Sequence, residues 1–253
     1  MTSTSRIAVA GLFVLALVIS PARAGITHNR RSPSQTYSPF LPLTFGFGMQ
    51  FETSNDQNRY DFPILIEYNF SQTIKLSLEP SLVYIDSKVD DPDVTTASGF
   101  GDTELTFAYE FLRERRYRPA LTIEGITKFP TASIAELGDP GQDYGIALIA
   151  SKGFGRFDAD LSARYSWTGD PDALDSLELA LGVSVPINRR FELLAELVQT
   201  FEFGNNGQSA TEGTVGASWR VNRYLRFEQG VTFKDDGTWQ TTSSFEWSLA
   251  GEN

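Results

Sequence analysis

Tyr60-Asp61-Phe62-Pro63-Ile64-Leu65-Ile66-Glu67-Tyr68-Asn69-Phe70 reads as two interleaved sequences. One set of alternate positions gives Tyr, Phe, Ile, Ile, Tyr and Phe. The other gives Asp61, Pro63, Leu65, Glu67 and Asn69. Successive side chains of a β-strand point to opposite faces, so the segment is a strand with one apolar and one largely polar surface. Working outward, Thr103 to Phe111 sets Leu105, Phe107, Tyr109 and Phe111 against Glu104, Thr106 and Glu110. Phe157 to Trp167 sets Phe, Ala, Leu, Ala, Tyr and Trp against Asp158, Asp160, Ser162, Arg164 and Ser166.

The pattern predicts twelve strands, near 43–53, 60–70, 74–86, 101–112, 117–129, 142–153, 156–168, 175–186, 190–203, 211–221, 224–234 and 238–249. Most exceed the ~5–6 residues of an ordinary soluble strand and match the ~9–11 that a tilted strand needs to cross a bilayer. The connections alternate in kind. Short turns such as Ser71-Gln72, Gly155 and Asn222-Arg223 interleave with mostly longer, Asp- and Gly-rich segments at 87–100, 130–141, 169–174 and 204–210. That asymmetry separates the two ends of an outer-membrane barrel. Two turns repeat an Asn-Arg core, Asn188-Arg189 and Asn222-Arg223, which predicts a shared turn geometry.

A soluble β-sandwich also alternates, with its apolar face inward. Two features favour the membrane. Tyr60, Tyr68, Tyr84, Tyr165, Trp167, Trp219, Trp239 and Trp247 lie on the apolar face near strand ends, where interfacial aromatic rings belong. The opposite face is densely charged, with Glu52, Glu67, Lys75, Glu79, Glu110, Asp160, Arg226, Glu228 and Glu246 among its members. The expected architecture is therefore an all-β, antiparallel, up-and-down transmembrane β-barrel spanning residues 43–249. Pro80 interrupts the third strand and calls for a bulge. Leu65, Val83, Ile85, Ile126, Ile149, Leu194 and Val198 fall on the charged face, so the interior is not uniformly wet.

The chain begins as an exported protein does. Arg6, the apolar run Ile7 to Ile19, the break at Ser20-Pro21 and the small-x-small site Ala22-Arg23-Ala24 predict a cleaved signal peptide over 1–24. The apolar run is too short for a membrane helix. Residues 25–42 form a Pro-bearing segment, periplasmic or folded into the lumen, and 250–253 a short tail. The expected location is the bacterial outer membrane. The expected partners are its lipid and lipopolysaccharide, the barrel-insertion machinery and a small-molecule solute. The last aromatic, Trp247, or Leu249 takes the terminal role that such machinery reads.

Composition narrows the chemistry. Removing the two signal-peptide arginines leaves 19 basic against 32 acidic residues, a net charge of −13, which excludes nucleic acid as a partner. There is no Cys, and the one His, His28, precedes every strand. Thiol chemistry, Ser-His hydrolysis and His/Cys metal sites are thereby set aside, and no cofactor or enzymatic activity is expected. Interior carboxylates could do acid–base work, but pairing with Lys75, Lys128, Arg164, Arg220 and Arg226 is the simpler role. The loop acids Asp86, Asp90, Asp91, Asp93, Asp170, Asp172 and Asp175 lack an ordered calcium-loop spacing and read as a solvated rim. Gly99-Phe100-Gly101 and Gly153-Phe154-Gly155 sit at strand ends and open no helix, so they do not bind nucleotides.

Gly99-Phe100-Gly101-Asp102, the downstream Tyr109-Glu110-Phe111, Lys128-Phe129-Pro130-Thr131 and Leu137-Gly138-Asp139-Pro140-Gly141-Gln142-Asp143-Tyr144 together resemble the transporter family of the MetA pathway of phenol degradation. Ala132 replaces the Gly expected after the Lys-x-Pro-Thr run. The resemblance implies an outer-membrane barrel acting as a channel or transporter for small solutes, aromatic or hydrophobic compounds among them. From the residues themselves, the expected lumen-lining and solute-binding positions are Asp102, Glu104, Glu124, Lys128, Asp143, Arg164 and Glu178. A carboxylate-rich lumen favours cations or neutral molecules over anions. The alternative is a structural or anchoring barrel with a plugged lumen.

Overall fold

The computed structural model describes residues 42–54, 57–88, 96–170, 173–204 and 207–249. The signal segment, residues 25–41, the tail 250–253 and the loop acids Asp90, Asp91, Asp93 and Asp172 lie outside them. Twelve strands run in chain order: β1 Leu43–Thr53, β2 Gln57–Asn69, β3 Ile74–Ser87, β4 Ala97–Leu112, β5 Ala120–Phe129 and β6 Asp143–Gly153. The second half follows as β7 Asp158–Trp167, β8 Asp175–Pro186, β9 Phe191–Phe203, β10 Ser209–Arg220, β11 Leu225–Lys234 and β12 Trp239–Leu249. Each strand pairs antiparallel with its chain neighbours, and β1 pairs with β12 from Leu43↔Leu249 to Thr53↔Trp239. The barrel is closed. Closure removes the free sheet edges that an open sheet would present to other chains.

Phe47, Phe107, Leu148, Leu161, Leu197, Val215 and Phe245 point outward and stay exposed. A soluble monomer does not expose an apolar surface that rings the whole molecule. Aromatic rings bound this belt. Trp239, Phe51, Tyr60 and Tyr84 form a ladder across β12, β1, β2 and β3 at the loop end, with centroids 5.1–5.8 Å apart. Tyr68 and Phe70 make an edge contact at the turn end. Two polar pairs interrupt the outward face and satisfy each other. Thr211 donates to Gln199 at 2.8 Å, and Ser243 donates to Gln229 at 2.5 Å.

The two Asn-Arg turns share one geometry. Asn188 Oδ1 accepts the N–H groups of Arg190 and Phe191 at 2.8 and 3.0 Å. Asn222 Oδ1 does the same for Tyr224 and Leu225 at 2.7 and 3.0 Å. A short side-chain acceptor that closes the backbone on itself is the reason Asn occupies such turns. Gly155, at φ 81°, supplies the left-handed residue of the β6–β7 turn.

Several strand ends differ from the sequence reading; β2, for one, starts three residues early at Gln57. β5 starts at Ala120 and not 117, because Arg115 and Arg118 bridge each other and leave Tyr117 at the turn, 85 % exposed. β4 starts four residues early, at Ala97, extending to pair with Ile85. The irregularity at Pro80 is present, but its extra residue belongs to the partner strand. Pro80 pairs with Thr103 and Leu82 with Phe100, so Ser81 faces both Gly101 and Asp102.

Candidate functional site

That bulge places Asp102 beside Gly101 on the inward side of β4, and the Asp102 carboxylate organises the loop 130–142. One oxygen accepts the Ala132 N–H at 3.3 Å, the other the Asp139 N–H at 2.8 Å. Ser133 returns a second tie, its N–H donating to the Phe100 carbonyl at 2.9 Å and its hydroxyl accepting the Phe100 N–H at 2.6 Å. The loop then turns through a short 3-10 segment, Ala135–Leu137, that buries Leu137 against Val83, Ile85 and Ala97. Val83 and Ile85 were out of place on a polar lumen face in the sequence. They are the seat on which the loop sits. Gly99 is needed there because a Cβ would meet the Ser133 side chain and Leu137 at 2.5–3.1 Å.

Lys128, at the end of β5, holds the same loop from the other side through ion pairs to Asp139 and, at 2.5 Å, to Asp143. Asp143 also accepts the Gly169 N–H at 2.9 Å, which fastens the chain just past the end of β7. Asp102, Lys128 and Asp143 are therefore a brace for the loops at the barrel mouth. Changing Asp102 to Ala leaves two backbone N–H groups without their charged acceptor. The expected loss is about 1 kcal/mol of local stability, reduced by solvent on the outer side. It is read as faster hydrogen exchange at Ala132 and Asp139 with no change in global unfolding.

The other four residues lie together. Glu104, Glu124, Arg164 and Glu178 share a polar cavity with Lys75, Glu79, Ile126 and Ile149, on the wall made by β3 to β8. Arg164 donates to Glu104 at 3.0 Å, tying β7 to β4 across the interior. The cavity holds about 40 Å³ of free volume. At ~10–15 Å³ per water this is room for about three waters.

Below it, toward the short turns, the interior is packed. Thr44, Glu67, Lys75, Glu110, Thr122 and Ser151 on β1 to β6, and Asp160, Ser184, Leu194, Ser218, Glu228 and Ser244 on β7 to β12, point inward, none more than 6 % exposed. Every strand contributes one. The most buried pair is Glu67 with Lys75, 3.2 Å apart and 1 % and 2 % exposed. Asn69 donates to Glu67 at 3.3 Å. Neither residue of the buried pair is among the seven expected lumen positions. The signal for it was present: a tight turn at Ser71-Gln72 pairs Asn69 with Lys75 and Glu67 with Ser77, making Glu67 and Lys75 diagonal neighbours on one face.

At the turn end a second cavity of about 290 Å³ is lined by Arg189, Arg190, Arg220 and Arg226 with Asp158 and Glu192. The interior is thus acidic in its middle and basic at this mouth. Outside the strands, Glu114 reaches Lys152 at 2.5 Å and accepts the Gly153 N–H at 3.0 Å. Burial alone would push the Glu114 carboxyl up, but these two donors outweigh it and hold it below its ordinary value.

With this geometry, comparison with solved structures is informative. An outer-membrane channel from Pseudomonas putida F1 superposes with a TM-score of 0.69, at 15% identity over 84% of this chain and 97% of that one. The chain has the fold of outer-membrane channels. The KdgM porin in complex with oligogalacturonate gives 0.57, at 11% identity over 81% and 99%. The CymD monoaromatic hydrocarbon channel gives 0.50, at 10% identity over 93% and 95%. No protein-family model matches the sequence, and no curated protein matches it either.

Proposed function

We propose that this protein is an outer-membrane channel that passes small solutes through the barrel lumen, with selectivity set by the acidic cavity and the braced loop 130–142. The observation that carries the reading is a closed barrel with an exposed apolar belt outside and charged side chains inside. Such a molecule is solvated correctly only with lipid around it and water or solute within it. The structures it resembles are channels and porins, which supports the same class. The family likeness in the 99–144 motifs points the same way and adds aromatic compounds to the candidates.

Charge narrows the solute. Glu79, Glu104, Glu124 and Glu178 outnumber Lys75 and Arg164 around the cavity, so an incoming anion meets an unfavourable field and a cation a favourable one. An oligogalacturonate-like polyanion does not suit this wall.

Purified protein in planar bilayers is expected to give discrete openings with cations preferred over anions, and solute flux in liposomes. Absence of both overturns the channel reading. The packed interior at the turn end supports a second reading, an anchoring barrel without transport, and that same absence would favour it.

A further inference from the structure

Lys75 is the bulkiest of the fully buried side chains among the described residues. Burying an ammonium costs heavily unless carboxylates surround it. Glu67 of β2 lies 3.2 Å away. Glu124 of β5 lies in the same cross-strand row as Lys75, with only the Ala108 methyl between them. Glu246 of β12 lies across Gly46 of β1, which has no side chain to stand between β12 and β2. These carboxylates come from separate parts of the barrel wall, so the Lys75 side chain ties those parts together through its own charge. Thr122, inward-facing and two residues from Glu124, is fully buried, and its hydroxyl has no hydrogen-bond partner among the described residues. Lys75 also borders the polar cavity, so a solute in that cavity would meet this group.

We propose that Glu67, Glu124 and Glu246 form a binding site for an alkylammonium group, which Lys75 fills in the closed barrel and which a cationic solute takes over as it passes. The Lys75 side chain is then a latch built from the ligand's own chemistry, a four-carbon stem ending in –NH₃⁺. The inference rests on the channel reading only for how a solute reaches the cage. The cage itself is a property of the packed interior. A site of this kind accepts primary ammonium compounds and rejects alcohols and carboxylates of the same length.

The test is chemical rescue in the full-length protein. Lys75→Ala removes the latch and leaves the cage. Its thermal midpoint is expected to fall, and propylammonium chloride to raise it again by about 5 °C, where propanol and sodium propionate do not. Wild-type protein, in which propylammonium must displace Lys75 to enter, is expected to shift far less than Lys75→Ala and to ignore propanol and propionate. Equal effects of propylammonium and propanol, or no effect of any additive, overturn the proposal. If Lys75→Ala does not accumulate in the native form, refolding yield with each additive replaces the melting curve. Rescue by propylammonium alone supports the cage and equal yields overturn it. Because the readout is thermal, protein that is silent in a bilayer but rescued by propylammonium would sink the channel reading and leave the cage standing.

Discussion

Leu148→Arg is expected to lower the stability of the lipid-embedded protein by about 2–4 kcal/mol, read from denaturant unfolding in vesicles. Leu148 lies at the centre of β6, points outward and is 49 % exposed. Its cross-strand partners Ile123 and Ala163 are apolar too, so a guanidinium there has no local acceptor and must be carried to the membrane surface. The outcome discriminates sharply. Were this face wet, replacing an exposed Leu by Arg would change stability by no more than about 0.5 kcal/mol. A silent Leu148→Arg therefore removes the membrane reading altogether. Leu161→Arg, at a comparable outward position on β7, is expected to behave the same way.

Glu67→Gln is expected to destabilise by about 3 kcal/mol or more, since breaking a buried ion pair leaves its partner's charge without compensation. The pair is nearly solvent-free, so the screening that weakens surface ion pairs does not apply. The size of the loss depends on how far Glu124 and Glu246 can hold Lys75 in its absence, which makes the measurement a probe of the cage. Glu67→Gln combined with Lys75→Met is expected to cost less than the two single variants added together, because the two charges of the pair then leave together, while Glu124 and Glu246 remain. If the double variant is as unstable as the sum of the two single variants, Glu67 and Lys75 do not act as a pair.

Much of this architecture is legible one strand at a time. The alternation in residues 60–70 assigns Tyr60, Phe62, Ile64, Ile66 and Tyr68 to one face, and they face outward together. The Asn-Arg repeats announced a common turn, and the side chains of Asn188 and Asn222 do close it identically. What local reading misplaced is instructive. Tyr117 looked like the start of a strand because it is aromatic and precedes an alternating run. The Arg115–Arg118 bridge holds it in the turn instead. Pro80 was recognised as an irregularity, but the extra residue went to β4, where the paired Gly101 and Asp102 accommodate it. A bulge is a property of two strands, and one strand's sequence shows only half of it.

The cavity shows the same division. That Glu104, Glu124, Arg164 and Glu178 point inward follows from parity along each strand, and they meet around one cavity. That Asp102, Lys128 and Asp143 brace the loops does not follow from parity, because their partners Ala132, Asp139 and Gly169 lie on connections with no periodic signal.

The sequence by itself determined the twelve strands, which face of each is apolar, and which end carries the long connections, because strand periodicity and turn chemistry are local and repeat every two residues. Only the tertiary structure decided what fills the interior. Closure brings β2, β5 and β12 to a common interior, so that Glu67, Glu124 and Glu246 share the inner wall that buries Lys75. Curling the sheet also folds a distant loop's Leu137 onto Val83 and Ile85. Distances across a barrel depend on its closure and stagger, quantities that belong to all twelve strands jointly and to none of them singly.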